Sequence, residues 1–516
     1  MPSHSTRTLW LGIDLGTQSA KAALWQAAAG QRGGCVVGEG SYRYDVHYPR
    51  LGWAEQAPRD WEAALGPIVQ AALTQAGARK SEVAAIGVTG QLDGTIAVDP
   101  AGEPVSPALI WQDRRASCAL SLSASRVQEL TGQVLDASHL APKARYLLGE
   151  RGLAGVRFHQ PVSYLVERLT GRAVMDPALA SMTLLLDLHA RRWSAELCAA
   201  WGVPLTCLPE LAPADELAAP LSARGAALTG LPAGVPVCVG TGDDFAAALG
   251  AGLLRPGRVS CSLGTAEVVG ALSDTAVIDR VTDHATDRVT DHVTGHAAPI
   301  VETHLYPTGG YFIENPGWTC GGAVAWLRRL VGISGDRELD DLAAAVPAGC
   351  DGVGFFPALA GAMTPAWNAD ARGAFFGLSS EHGRGHLARA VLEGSAFACR
   401  DVVERLAALG VPTERLLLSG GGSASALWAQ LHADVLGRPV ELAARADATV
   451  LGAIMLAALA SGGACREDLP ALAGAPRQVL TPRPSTAGDL ERAYQRYRRH
   501  AAALLAATPD RDLRPL

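Results

Sequence analysis

Four short stretches hold the residues best suited to do chemistry. Near the start, Asp14, Gly16, Thr17 and Gln18 follow an apolar run. A carboxylate ahead of a glycine turn suits a phosphate. The backbone approaches closely at Gly16, Thr17 and Gln18 donate hydrogen bonds, and Asp14 can hold a magnesium ion through water. A single D-x-G-T is also an ordinary hairpin turn, but the pattern returns. Leu263-Gly264-Thr265 again lies between two apolar runs, this time without the aspartate. Two strand–LGT–strand units suggest a duplicated α/β domain, with one phosphate turn from each half facing a shared cleft. The metal role then belongs to the first half. Third, Thr241-Gly242-Asp243-Asp244 forms a strand-to-helix turn, where an aspartate either caps the helix or points elsewhere to act. Fourth, Gly420-Gly421-Gly422 links a strand to a helix. That is a seat for an anion or nucleotide, or merely a flexible turn.

These residues need elements to hold them. Leu9–Ile13 reads as a buried strand and Ala22–Trp25 as its hairpin partner, with Cys35–Gly38 a further short strand. Trp61, Leu65, Ile68, Val69 and Leu73 recur at helical spacing, and Gly77 ends that helix. Strands are predicted at Val83–Thr89, which delivers Gln91-Leu92-Asp93 into a loop, and at Ala108–Trp111, Val235–Val239 and Leu416–Leu418. Helices are predicted from Phe245 until Gly250 and Gly252 close it, and from Gly321 and Gly322 through Leu330. A further helix carries Trp428, Leu431 and Val435 and ends at Gly437, and another spans Ala448–Ser461. Gly452 inside that last helix costs about 1 kcal/mol against alanine, which calls for close approach of a ligand or a neighbouring element. The tail helix, Ala487–Leu505, reads as packing or an oligomer contact such as a homodimer interface. Alternation of strands with helices gives an α/β class with parallel pairing.

At 516 residues the chain is too long for one core, and 48% hydrophobic with 18% charged residues is globular. A net charge of −7 argues against nucleic acid as a partner. The ten cysteines include no C-x-x-C pair, which fits a reduced cytoplasmic protein better than a disulfide framework or a zinc site. No secretory leader or apolar run of about 18 residues occurs, so no membrane partner is expected. The four-residue repeat over residues 280–296 contains His284, His292 and His296. It reads as a solvated, mobile insertion (278–298 at its widest) rather than a metal site.

By its motifs the chain resembles the FGGY family of sugar kinases, most closely the xylulokinase branch. The resemblance runs from about residue 9 to about 460, carried by IDLGTQSAK, WAEQAPRDW, GQLDG, ALIWQDRR, LAPKARYLL, GTGDDFAAALG, SLGTAE, FFPALAGAMTP, RGAFFGLSSEH, LARAVLEGSAFACRDVVERL and LSGGGSASALWAQLHADVLGRPV in family order. It implies duplicated actin-like ATPase (ribonuclease H-like) domains, two lobes around a central cleft. Residues 1–252 would form the sugar-binding domain and 253–516 the nucleotide-binding domain. It also implies ATP and Mg²⁺ as cofactors, a small sugar as partner, and transfer of the γ-phosphate to a ketose, D-xylulose first. By the same resemblance, Asp243 is the catalytic base and Asp14 the magnesium-associated acid. Thr17, Gln18, Gly264, Thr265, Gly321, Gly421, Gly422 and Ser425 meet the nucleotide. Gln91, Leu92, Asp93, His139, Asp243 and Asp244 meet the sugar.

This sequence also departs from the xylulokinase pattern. Leu92-Asp93 stands where Met-His is usual, Asp244 where Asn is usual, and His139 where an aromatic ring is frequent. Gly361-Ala362-Met363-Thr364-Pro365 replaces G-E-R-T-P, and Ser425 replaces an Asn beside the adenine. Ribulose, erythritol or glycerol therefore stands beside D-xylulose as acceptor. A non-catalytic actin-like module is a third reading, opposed by the presence of both Asp14 and Asp243. Phosphoryl transfer needs positioning, charge neutralisation and exclusion of water, so the lobes are expected to close on the sugar.

Overall fold

The computed structural model describes residues 7–27, 33–280 and 299–508. The histidine repeat, with His284, His292 and His296, lies outside them. Every residue of the first strand, β1 (Leu9–Leu15), is buried. The strand continues through a three-residue turn, 16–18, into β2 (Ser19–Ala27) and then β3 (Gly34–Arg43), all antiparallel. So short a turn can join strands only in that sense. The strand expected at Cys35–Gly38 is thus longer than its apolar core. Helix α1 (Pro58–Ala76) packs its Trp61, Leu65, Ile68 and Leu73 face inward and ends at Gly77, whose φ of 58° is left-handed.

The chain then returns as β4 (Val83–Gly90), parallel to β1. Strands β5 (Leu217–Pro220) and β6 (Pro236–Cys238) complete the order β5-β6-β4-β1-β2-β3, with Thr241–Gly242 pairing beside β4. Helix α2 (Asp243–Ala251) follows directly and stops at Gly252, φ 99°.

The second sheet repeats the plan. A tight hairpin joins β7 (Gly257–Leu263) to β8 (Ala266–Ser273), followed by β9 (Glu302–Leu305) and β10 (Tyr311–Thr319). Helices α3 (Gly321–Val331) and α4 (Arg384–Ala408) precede β11 (Thr413–Ser419), which runs parallel to β7. Helix α5 (Ala426–Leu436), β12 (Val440–Leu442), helix α6 (Thr449–Ala460) and β13 (Gln478–Leu480) complete it, in the order β9-β10-β8-β7-β11-β12-β13. Both sheets are therefore mixed. The parallel pairing expected from the alternation holds at β1–β4, β4–β6, β7–β11 and β11–β12, while the two Leu-Gly-Thr hairpins are antiparallel.

Helix α6 comes late in the chain yet packs on the first sheet. A Cβ at Gly12 would lie 2.6 Å from the Val450 carbonyl oxygen, one at Gly87 1.9 Å from that of Ala453, and one at Gly452 2.0 Å from that of Ala246. Gly452 thus serves close approach to a neighbouring helix. Ion pairs Lys21–Asp447 (2.6 Å) and Arg466–Asp215 (2.8 Å) join the same two parts. Helix α7 (Pro484–Ala507) buries Tyr494 and Tyr497 against Phe397, so one face of the tail helix packs within its own chain. Among the described residues no helix is long and apolar enough to cross a membrane.

Candidate active site

Sheet register brings the two key aspartates to one place. Asp14 on β1 pairs with Thr89 on β4, and Thr89 pairs with Thr241, two residues before Asp243. The Thr241 hydroxyl donates to Asp176 Oδ2 (3.2 Å), which pins the bend. The N-cap of α2 is Gly242, so neither Asp243 nor Asp244 caps the helix with its side chain; both occupy its first turn. That removes the capping alternative. Burial, then the Asp244 charge, pushes the Asp243 pKa well above the ordinary carboxylate value, against the lowering effect of the backbone N–H groups at 243 and 244.

Asp14 is raised to about 8, by burial first and then by Asp243 and Asp447, against the lowering effect of Lys21. Its Oδ1 is buried without a hydrogen-bond partner. An orphaned carboxylate oxygen in a negative field is the donor that a hard divalent cation satisfies, so this position fits magnesium.

The first turn is braced from below. Tyr44 donates its hydroxyl to the Gly16 carbonyl (2.6 Å), Trp111 Nε1 donates to Thr17 Oγ1 (2.9 Å), and Gln56 Nε2 donates to the Thr17 carbonyl (2.7 Å). Gln91 Nε2 donates in turn to Gln56 Oε1 (2.8 Å), which couples the turn to the GQLDG loop. Gln18 is exposed at the tip. In the second sheet Gly264 and Thr265 are exposed, and their carbonyls accept the N–H groups of Gly321 (3.1 Å) and Gly322 (3.0 Å). A Cβ at Gly321 would sit 2.4 Å from the Gly264 carbonyl oxygen. Gly420, φ 82°, lies equally tightly on Leu263, at 2.5 Å, and Gly421 is exposed beside it while Gly422 packs on Trp428. Ser425 caps α5 by accepting the Trp428 N–H (3.1 Å) and donates to Asp340 (2.9 Å). The second turn, Gly321 and the glycine loop thus converge at the ends of adjacent strands β7 and β11.

Asp93 and His139 are brought together beneath the first sheet. Asp93 adopts φ 55°, a left-handed conformation costing about 1–3 kcal/mol for a non-glycine residue. Its N–H donates to Gln160 (2.9 Å) and its carbonyl accepts from Lys143 Nζ (2.7 Å). Burial drives Lys143 down to about 7. His139 Nδ1 faces Asp93 Oδ1 (3.1 Å) and the Met182 carbonyl (2.9 Å), while Nε2 faces the Val134 carbonyl (3.2 Å). All three neighbours are acceptors, so the ring carries both protons. Burial opposes that charge, but Asp93 outweighs it, and the Asp93 pKa falls in return although burial opposes that too. Leu92 packs over Gly242, where a Cβ would come within 1.9 Å of Leu92 Cδ2. It fixes the backbone before Asp243 and offers no hydrogen bond.

Sequence reasoning missed the residues that β9 and β10 bring here. Glu302 and Glu314 are cross-strand partners, and Glu302 Oε1 accepts the Val134 N–H (2.7 Å). Glu314 is fully buried; His304 Nε2 lies 3.2 Å from it without hydrogen-bond alignment, so neither carboxyl oxygen has a hydrogen-bond partner. Burial, then Asp93, raises Glu314 to about 8, and burial, then Glu314 and Asp93, raises Asp244. The one available signal was a glutamate and a histidine alternating within an apolar run, Pro299–Tyr306.

Residues 9–250 match the N-terminal domain, and residues 259–461 the C-terminal domain, of the FGGY family of carbohydrate kinases. The chain belongs to that family. The kinase is 34% identical to a glycerol kinase of Thermococcus onnurineus over 466 residues, 87% of this chain and 88% of that one. It is 35% identical over 465 residues to a glycerol kinase of Gloeobacter violaceus, 88% of each chain. Its structure superposes on a xylulose kinase from Rhodospirillum rubrum with TM-score 0.82 and 29% identity, covering 96% of this chain and 99% of that one. A Plasmodium falciparum glycerol kinase with ADP shares the fold at TM-score 0.82 and 20% identity, covering 97% and 98%. The kinase is thus a phosphotransferase built from duplicated actin-like ATPase domains around a cleft.

Proposed function

We propose that this kinase transfers the γ-phosphoryl group of ATP to a terminal hydroxyl of a short, acyclic, uncharged acceptor. Asp243 takes the hydroxyl proton. Its place at the start of a helix, two strands from Asp14, is the observation that carries the reading. A carboxylate of raised pKa in the first turn of a helix is basic enough to draw a proton from an alcohol in the transition state. Magnesium, when bound, would neutralise phosphate charge, with Asp14 as its protein ligand, directly or through water. The exposed turn at Gly264 and Thr265 and the loop at Gly421 and Gly422 are suited to the phosphates and the nucleotide, with Thr17 and Gln18 donating from the opposite lobe.

Asp93, Asp244, Glu302 and Glu314 crowd the acceptor side; of the nearby cations, His139 is spent on Asp93 and backbone carbonyls, Lys143 on backbone carbonyls and Arg114 on Asp136. An anionic acceptor such as a sugar acid would be repelled. Hydroxyl groups, which donate to carboxylates, suit the site, and glycerol or a similar polyol is the first reading, in keeping with the glycerol kinase relatives. D-Xylulose is the second. Burial raises Asp244 and Glu314, and either carboxyl in its protonated form would donate to a ketone oxygen. Release of ADP over a panel of glycerol, erythritol, D-ribulose, D-xylulose and gluconate tests both. Turnover is expected with glycerol or erythritol and none with gluconate. Tenfold faster reaction with D-xylulose would favour the second reading, and phosphorylation of gluconate would overturn both.

A further inference from the structure

Behind the second phosphate turn lies a group of side chains that phosphoryl transfer does not use. Cys261 on β7, Glu267 on β8, Cys399 on α4 and His432 on α5 are all fully buried, and their ligand atoms lie within 4.8 Å of one another. Cys261 Sγ is 3.3 Å and His432 Nε2 3.0 Å from the same oxygen, Glu267 Oε1. A zinc ion with bonds of about 2.3 Å to sulfur and about 2.0–2.2 Å to nitrogen and oxygen separates tetrahedral ligands by roughly 3.3–3.8 Å. The His432–Glu267 and Cys261–Glu267 separations already lie within a few tenths of an ångström of these values, and no pair exceeds 4.8 Å.

The surroundings orient the donors. His432 Nδ1 donates to the Trp428 carbonyl (2.9 Å), which directs the other ring nitrogen at Glu267. Ser395 donates its hydroxyl to Glu267 Oε2, which frees Oε1 for the group, and Cys320 Sγ rests on that hydroxyl (3.2 Å). Metal-binding histidines and carboxylates are held in this way. In a neutral ring with its proton on Nδ1, the Nε2 lone pair confronts a carboxylate oxygen at 3.0 Å, with no solvent to intervene. A proton or a metal ion must lie between them, and a metal ion would take both sulfurs as ligands at the same point.

We infer that Cys261, Glu267, Cys399 and His432 form a closed, four-coordinate structural site for zinc. Two sulfurs, an imidazole and a carboxylate are a borderline-soft set that suits zinc and not magnesium. Binding releases the two thiol protons and the proton that His432 and Glu267 share without the metal, so two thiolates, a carboxylate and a neutral imidazole face the doubly charged ion. Cys261 and Glu267 flank the turn Leu263-Gly264-Thr265, and α5 leads directly from the glycine loop. The ion ties both loops to α4 from behind, away from the reacting groups. With 131 residues between Glu267 and Cys399 (positions 268–398), no linear spacing rule would find it.

The test uses the full-length chain. Elemental analysis should find one zinc per chain, and cobalt(II) added to metal-free protein should give the thiolate charge-transfer and intense visible bands of tetrahedral coordination. Cys399→Ser and His432→Gln should lose the zinc, while Cys320→Ser, outside the ligand set, should keep it. Ser395→Ala should weaken zinc about 10–100-fold. If a ligand variant fails to fold, the cobalt spectrum of the unaltered chain decides. No zinc uptake in competition with a chelator, or an octahedral cobalt spectrum, would overturn the site. So would loss of zinc in Cys320→Ser with retention in Cys399→Ser.

Discussion

The two phosphate hairpins share a plan and differ in what surrounds them. Four residues, 16–19, separate the paired ends Leu15 and Ala20 of the first, and three, 264–266, separate Leu263 and Glu267 of the second. The first sets a carboxylate, Asp14, at its strand end with an oxygen unsatisfied. It is laced to the acceptor lobe through Tyr44, Gln56 and Trp111. The second carries no acid at that place and leaves Gly264 and Thr265 open, while its polar residues, Cys261 and Glu267, turn into the core. One turn follows a strand that ends on a buried carboxylate with an unpartnered oxygen, and the other leaves an exposed backbone with polar side chains packed behind it. Duplication supplied the geometry, and a few side chains divided the labour.

The largest expected effect lies where the first lobe meets the reaction. Asp243→Asn should fold with an unchanged melting temperature yet lose about 10²–10⁴-fold in kcat, measured by ADP release. Near-normal turnover would break the assignment of the base. Asp14→Asn should abolish magnesium-dependent stabilisation and most activity, whereas no equivalent change in the second turn would touch the metal. The Asp14 pKa is raised on folding from 3.8 to about 8. Its contribution to stability is therefore full below about pH 4 and lost as pH rises through about 8. Without magnesium, the wild-type chain should become less stable over that window relative to Asp14→Asn, by chemical denaturation. Magnesium competes with the proton, so the stabilisation it confers should grow toward pH 8.

The second hairpin is probed by its glycines. Gly321→Ala forces a Cβ to 2.4 Å from the Gly264 carbonyl oxygen and should cost about 1–3 kcal/mol while raising the KM for ATP. Gly264→Ala meets only an ordinary contact, 3.4 Å to Ala266, and should stay within about 0.5 kcal/mol of wild type in a thermal melt. Equal penalties at the two positions would mean that the turn is not anchored through α3. Smallest of all, Thr265→Ala should raise the KM for ATP several-fold with no change in melting temperature, because this side chain is exposed and holds nothing else together.

Local patterns carried much of this. A buried apolar run followed by Asp-x-Gly-Thr needs only nearest neighbours to become a strand and a turn. The same holds for the left-handed caps at Gly77 and Gly437 and for the strand-to-helix bend before Asp243. What local pattern leaves open is set at a distance. Parallel or antiparallel sense depends on which strand becomes a neighbour, and whether Gly452 meets a ligand or another element on the distant carbonyl of Ala246.

By itself, then, the sequence determined the strands, turns and family, and the positions of Asp14, Asp243 and the glycine loops, because short-range sterics and hydrophobic periodicity dictate them. Only the tertiary structure decided that His139 carries a charge for Asp93, that Glu314 comes within electrostatic reach of Asp244, and that Cys261, Glu267, Cys399 and His432 meet. Burial and proximity set the charge state and coordinating power of such groups, and both are properties of residues far apart in the chain and adjacent in space.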